Sequence, residues 1–443
     1  MSGRPFASFS LVACLAACSA DPPAAATDAA VSNDIADAPR DVAPDVPIDR
    51  TPPPYDAGTS PACAVAAFTR HIVDQSPGVN VIETGGLVAV GDGFVFALRQ
   101  GASRLIAPDG GPARRDTVDV MAVSAVGLPQ SALTTVYDSA AAGTDLSPPT
   151  LVRAGGNALV LFRESSGFGA PGTAYVTRVR GTLLDAAGAR TGPAIVLEDR
   201  GDPFAATLPD GTAFVLSPRV VSRSDAGLVA ASPNVVRILA SGAVANPLGV
   251  DIASIVPIEA DSVLMLPAPD GAALMFRRAT ELRVVRFDGT GLIDTRVRVT
   301  RDLDAVRLDD GAVLPEGVVA AWDEPAGSTH AIHVAVTDPE GVLLTHQIVE
   351  RYEGTGSPVV SVSRTHGGAA VMWVRGSGDA ALLRAMVMQP NGVMRSPPRD
   401  LLPVPGADGR LYAVSDGRAL TFVARDRGAM GYGVTFGRLC LPE

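Results

Sequence analysis

The chain has 443 residues, 47 acidic against 36 basic, a formal net charge of -11 and a pI near 5.0. That length supports a sizeable core, and that charge excludes a nucleic-acid binder or a protein held on an anionic membrane by charge alone. Every one of the 36 basic residues is Arg, which excludes a Walker-type phosphate-binding lysine, a Schiff-base lysine and a Ser-Lys pair.

Hydrophobic residues make up 47% and aromatics 5%, with 46 Gly and 36 Pro, a composition of short apolar runs between many turns and therefore all-β. At the N-terminus Arg4 precedes an apolar stretch, Phe6 to Ala17, that ends in Leu15-Ala16-Ala17-Cys18. It is too short to span a bilayer as a mature helix and has the build of an export signal. The Leu-Ala-Ala-Cys run resembles the signal peptides of bacterial lipoproteins. That resemblance implies a mature N-terminus at Cys18 carrying acyl chains. Ser19 after it implies, by analogy with enterobacterial sorting, the outer membrane. Leu11-Val12-Ala13-Cys14 fits the same pattern but leaves too short an apolar region, and an ordinary secretory signal is the competing reading.

Residues 19–61 hold nine Pro, eight Asp, ten Ala and no Glu, with almost nothing to anchor a core, and read as a disordered tether holding a folded domain off the membrane surface. The Ala-Pro-Arg-Asp-Val-Ala-Pro-Asp-Val-Pro run at 38–47 resembles the linkers that follow the lipid site in lipoproteins of high-GC Gram-negative bacteria. The predicted domains are thus a signal over 1–18, a tether over 19–61 and a folded domain over 62–443.

The folded part repeats. Turn glycines follow apolar runs at Gly188, Gly242, Gly291, Gly341 and Gly392, with successive spacings of 54, 49, 50 and 51. Sequences such as Asp338-Pro-Glu-Gly and Gln389-Pro-Asn-Gly preset the first turn residue and permit a positive φ at the glycine, so each predicts a hairpin turn. Strand-like runs precede them, at Tyr175–Arg180, Val235–Leu239, Leu282–Phe287, Ile332–Thr337 and Leu383–Met388. One strand earlier lie Ala158–Arg163, Ala273–Arg278, Val318–Asp323 and Ala370–Arg375, with Phe162, Phe276, Trp322 and Trp373 near their charged ends. Four antiparallel strands in roughly 50 residues is the size of a β-propeller blade.

The expected fold is therefore a β-propeller of about seven blades, six to eight being compatible, closed by its N- and C-terminal strands. Val79–Glu83 is expected to complete the last sheet, and residues 87–120 to form a short blade ending at Asp109-Gly-Gly. Residues 121–148 fit no register and read as an insertion.

No named propeller family is reached. The Gly-Gly pairs at 155–156 and 367–368 precede the strand that Kelch repeats place before theirs. Trp322-Asp323 falls one strand too early for a WD repeat, two Trp are too few for the quinone-dependent dehydrogenases, and Ser415-Asp416-Gly417 is a loose echo of a sialidase Asp-box. Local chemistry is equally sparse. Gly167 to Gly172 matches G-x-G-x-x-G but leads into a strand. His330 and His333 face opposite sides of a strand, so they read as partly exposed edge residues and not as a metal pair. Asp302, Asp304, Asp309 and Asp310 read as solvated turn carboxylates in preference to a Ca²⁺ loop. Trp322 and Trp373, at repeat spacing, read as blade core. No catalytic, cofactor or metal residue is assigned.

The favoured function is a non-enzymatic, monomeric, envelope-anchored module that binds a protein, peptide or glycan. The alternative is a propeller hydrolase or lyase with residues drawn from several blades. With Cys14 in the signal and Cys18 lipidated, Cys63 and Cys440 remain, and export makes them the expected disulfide that locks the ring.

Overall fold

The computed structural model describes residues 69–74, 79–102, 116–139, 144–166, 176–224, 227–245, 261–278, 281–289, 293–300, 308–326, 328–339, 341–353, 360–376, 378–404, 407–415, 419–428 and 431–440. Cys18, Cys63 and Gly291 lie outside them, as do the signal and the tether.

Seven antiparallel sheets make up the fold. Taken from the innermost strand outward, blade one is Val79–Val90, Gly93–Ala102, Asp116–Val123 and Thr134–Asp138. Blade two is Thr150–Ala154, Asn157–Ser166, Val176–Leu184 and Ile195–Glu198, with Asp145–Leu146 also pairing Asn157–Ser166. Blade three is Phe204–Thr207, Ala213–Ser224, Gly227–Ile238 and Val244–Ala245. Blade four is Asp261–Ala268, Gly271–Arg278, Glu281–Asp288 and Ile293–Thr300. Blade five is Asp310–Leu314, Gly317–Ala326, Thr329–Thr337 and Leu343–Glu353. Blade six is Val360–Thr365, Gly368–Arg375, Leu382–Met388 and Met394–Pro403. Blade seven takes Ala407–Ser415, Ala419–Gly428 and Gly431–Cys440 from the C-terminus and its outermost strand, Thr69–Asp74, from the N-terminal side. The only helical element among the described residues is a 3-10 turn, Gly378–Ala380, and no helix there is long and apolar enough to cross a membrane.

A single four-stranded sheet this small cannot bury both faces, so the blades bury them on each other. Seven apolar clusters result, each between two neighbouring blades. Trp373 and Val334 share one between blades five and six, and Trp322 and Met275 one between four and five. The seventh, holding Phe96 of blade one against Phe436 of blade seven at 5.2 Å in an edge-to-face contact, closes the ring. Innermost strands follow one another around the same circuit, the last against the first.

The repeat seen in the sequence is structural. Phe162, Phe276, Trp322 and Trp373 are all buried, and each pairs across to a basic or imidazole side chain, Arg180, Arg283, His333 and Arg384 respectively. The turn glycines Gly188, Gly242, Gly341 and Gly392 have φ between 80° and 83°. Each donates its N–H to the carbonyl three residues back, as Gly341 does to Asp338 at 3.0 Å.

Three expectations need correction. Val79–Val90 is not the closing strand but the innermost strand of blade one; Thr69–Asp74 closes the ring, paired to Gly431–Cys440 from Thr69↔Phe436 to Asp74↔Tyr432. An outermost strand needs no continuous apolar run, and Thr-Arg-His-Ile-Val-Asp offers none. The second correction is that blade one extends to Asp138 and does not end at Asp109-Gly-Gly. Third, residues 121–148 are not an insertion. The described ones, 121–139 and 144–148, complete the third strand of blade one, turn at Gly127 (φ 80°), form its fourth strand and begin blade two. Ser124-Ala-Val-Gly127 makes the same turn as the others, and 61 residues to Gly188 put it out of step.

Candidate functional site

All seven innermost strands line a central channel of about 1080 Å³, walled by Leu87, Thr150, Phe204, Met265, Val313 and Tyr412 among others. Strands running down the channel meet their neighbours so closely that a side chain at Gly85 has no room: a Cβ there would lie 2.3 Å from the Pro149 carbonyl oxygen. Side chains also bridge from blade to blade. Thr150 Oγ1 donates to the Pro203 carbonyl at 3.0 Å and Ser363 Oγ to the Ala413 carbonyl at 2.6 Å.

At the end of the channel where the innermost strands begin, charged side chains from blades one and two, and from the connection to blade three, form one chain of ion pairs. Arg99, on the second strand of blade one, holds Glu83 at 2.7 Å, Asp116 at 2.8 Å and Asp145 at 3.1 Å. Arg163, ending the apolar run of blade two, reaches Asp145 at 3.8 Å and Asp202 at 2.8 Å. The depth is graded: Asp116 is fully buried, Asp145 is 35% exposed and Asp202 is 50% exposed at the rim. Asp116 also accepts the Leu146 N–H at 3.2 Å, which pins the extra strand of blade two to blade one. Burial works against the Arg99 charge, but Asp116, Glu83 and Asp145 outweigh it and raise its pKa.

Across the channel, at the same end, Asp309 and Asp310 open the innermost strand of blade five. Asp310 accepts hydrogen bonds from Gly311 N and Val362 N, both at 2.8 Å, and from Ser361 Oγ at 3.0 Å. Burial pushes its pKa up to about 6 although those three donors oppose the rise. Asp309 accepts the Asp323 N–H at 2.8 Å. The reading of Asp309 and Asp310 as solvated turn carboxylates is therefore wrong: they are committed to backbone partners, one of them on the next blade. Asp302 and Asp304 lie outside the described residues.

The histidines face opposite sides of their strand, as their spacing requires, but they are buried and not at an exposed edge. His330 Nδ1 lies 2.9 Å from Asp323 Oδ2, with its ring stacked on Tyr352. His333 lies between Glu324 at 3.0 Å, His346 at 3.0 Å and the Trp322 ring. Burial, with His346 and Arg351 nearby, lowers its pKa to about 4 in spite of the half-exposed Glu324. Among the described residues no group of three or more His, Cys, Asp or Glu side chains is arranged to hold a metal ion. Trp322 and Trp373 are core, and Trp373 Nε1 donates to Glu350 at 2.6 Å across the blade boundary.

Residues 167–175, with the glycine-rich string, lie outside the described residues. The strands on either side pair antiparallel, Ser166 opposite Val176, so no helix follows the string. Cys440 ends its strand opposite Ala419. The ion-pair chain at the channel mouth was not foreseen. Its members span Glu83 to Asp202 and share no local motif; the one trace in the sequence is Arg163 at the end of an apolar run.

No protein-family profile matches the chain, and no curated protein does. Solved structures of similar fold include a Trypanosoma rangeli sialidase, 10% identical, covering 84% of this chain and 59% of its own, with a TM-score of 0.41. A Pyrococcus horikoshii acylaminoacyl peptidase is 9% identical over 82% of this chain and 52% of its own, TM-score 0.43. A fungal alcohol oxidase of the AA5 family in complex with copper is 12% identical over 83% and 76%, TM-score 0.43. This chain spans less than two thirds of the sialidase and peptidase chains, and the likeness is one of fold.

Proposed function

We propose that this chain is an exported lipoprotein, anchored through Cys18 and sorted to the outer membrane, whose propeller binds a protein, peptide or glycan at the Arg163 mouth of its channel. The observation that carries the binding reading is the mutual pairing of the mouth charges. Arg99 is committed to three carboxylates and Arg163 to two, so the mouth is a fixed polar template. Asp202 is its exposed member, and Arg163, which it pairs, is about a quarter exposed beside it. A ligand carboxylate or hydroxyl exchanging for Asp202 at the Arg163 guanidinium meets a donor fork already oriented. The anchor rests on the Leu-Ala-Ala-Cys run and its resemblance to lipoprotein signals.

One observation favours the second reading, a hydrolase or lyase. Asp310 lines the channel with a pKa raised to about 6, where a general acid works. Its three donors make it a staple between blades five and six instead.

Arrays of neutral and acidic oligosaccharides and of random-sequence peptides, probed with the exported protein, distinguish the two. Binding predicts intact probes retained, with retention at least tenfold weaker for Arg163→Ala. Probes recovered as fragments, with cleavage lost in Asp310→Asn, support the hydrolase. The anchor is tested by labelling with a fatty-acid analogue: Cys18→Ala is expected to be unlabelled and released from membranes.

A further inference from the structure

Arg163 spends little of its hydrogen-bonding capacity within the protein. Its guanidinium carries donors on Nε, Nη1 and Nη2, yet among the described residues it hydrogen-bonds through Nη1 alone, to Asp202 Oδ2 at 2.8 Å. Asp145 lies 3.8 Å from Nη2, near enough to balance charge and too far to accept a hydrogen bond. Nε is buried with no acceptor among the described residues. A carboxylate set squarely on the two terminal nitrogens of an arginine takes a hydrogen bond from each, so Asp202 fills half of the fork that Arg163 offers.

Asp202 is also the group placed to leave. It is 50% exposed and sits on the connection between Ile195–Glu198 and Phe204–Thr207. That connection starts at Asp199, whose φ of 54° makes it the one non-glycine residue of positive φ among the described residues, a strained backbone conformation. Arg200 N reaches the Thr177 carbonyl across a long 3.4 Å, and on the far side of Asp202 the Pro203 carbonyl is held by Thr150. When Asp202 swings away, Asp145 still holds the guanidinium charge in place.

The channel wall behind the fork restricts what can take its place. Leu151, Phe204 and Val263, half-buried on the innermost strands of blades two, three and four, present apolar surface to the channel. The hydroxyls beside them are already spent: Thr150, Ser363, Tyr412 and Thr207 all donate to backbone carbonyls of the protein. A sugar bound through its hydroxyls finds those partners taken, whereas a carboxylate with an apolar group next to it matches both the fork and the wall.

We propose that the mouth takes a peptide by its free C-terminal carboxylate, with an apolar last side chain in the channel, and that Asp202 is an internal stand-in for that carboxylate, closing the site until it is displaced. This rests on the binding reading above and names its ligand class and its restraint. The exchange is carboxylate for carboxylate, so the charge balance around Arg163 and Arg99 is kept.

The full exported chain is titrated with N-terminally fluorescein-labelled Gly-Ala-Ala-Leu and with the same peptide as its C-terminal amide, read by anisotropy. The acid is expected to bind about tenfold more tightly than the amide, as one charge-assisted hydrogen bond implies. Asp202→Ala should tighten the acid several-fold and leave the amide unchanged, with Asp202→Asn, which keeps the side-chain volume, doing the same. Arg163→Lys, which keeps the charge and removes the fork, should lose most of the preference for the acid. Acid and amide bound alike by the parent, or Asp202 variants that bind the acid no better than the parent, overturn the inference and leave a binding mouth standing. Octanoate that binds in calorimetry while neither peptide does makes the occupant a fatty acid and overturns it too, as do oligosaccharides retained where both peptides fail. A chain that retains no probe of any class overturns the binding reading and this inference together.

Discussion

The hydroxyl of Tyr412 donates to the backbone carbonyl of Thr84 across 3.1 Å, joining residues 328 positions apart in the chain. It links the innermost strand of blade seven to that of blade one, at the boundary where the two ends of the ring meet. Tyr412→Phe removes this bond and leaves the Phe96–Phe436 packing beside it untouched. The expected loss is about 1 kcal/mol in urea unfolding with an unchanged slope, and no loss at all would show that the two blades do not meet there.

Arg99 is nearly buried among three carboxylates, one of which, Asp116, is wholly enclosed. Arg99→Met strands that charge and is expected to cost about 3–5 kcal/mol. Adding Asp116→Asn should recover a large part, because the uncompensated charge and not the lost pair is the main penalty. Equal losses in the single and double variants, read by chemical denaturation, would mean that the cluster contributes mainly through packing.

Two groups pull the pH dependence of stability in opposite directions. Asp310 titrates at about 6 in the fold against 3.8 unfolded, so its contribution is present below pH 3.8 and lost as pH rises to 6. His333 titrates at about 4 against 6.5, so its contribution is present above pH 6.5 and lost as pH falls to 4. Relative to the parent protein, Asp310→Asn should become progressively more stable as pH rises from 4 to 6, and His333→Gln as pH falls from 6.5 to 4. Unfolding midpoints across pH 4–7 that shift uniformly for either variant would remove that group from the balance.

The blade was legible in the sequence because its two central strands are buried on both faces and end in turns that demand a glycine. Gly341 and Gly392 could be placed from Pro, Asn and spacing alone. The outer strands were not legible. Thr69–Asp74 has no apolar run, and Leu343–Glu353 exposes and half-buries alternate residues. Blade one was misread because its turn at Gly127 carries neither Asp nor Pro. The channel mouth was hidden for another reason: Arg99, Asp116, Asp145, Arg163 and Asp202 meet only when two blades and a connection are set side by side.

The register of the closing strand bears on Cys63 and Cys440. Thr69, six residues after Cys63 in the sequence, pairs with Phe436, four residues before Cys440; Cys63 itself lies outside the described residues. We propose that they form a disulfide. In the chain-entropy account it stabilises by up to about 6 kcal/mol, since 376 residues separate them. Intact mass of the exported protein after thiol alkylation should show no free thiol before reduction and two after it; two alkylated thiols without reduction would dispose of the bridge.

The channel and its mouth exist only if the seven sheets form one closed ring, and limited proteolysis under native conditions tests this most directly. Cleavage is expected to remove residues before Thr69 and leave a core that migrates as one folded body through Cys440. A nick within 246–260, 301–307 or 354–359 should not release separately folded pieces, because every blade buries its faces on two neighbours. Fragments cut at those connections that separate on a sizing column, each keeping its β circular dichroism, would contradict the closed ring.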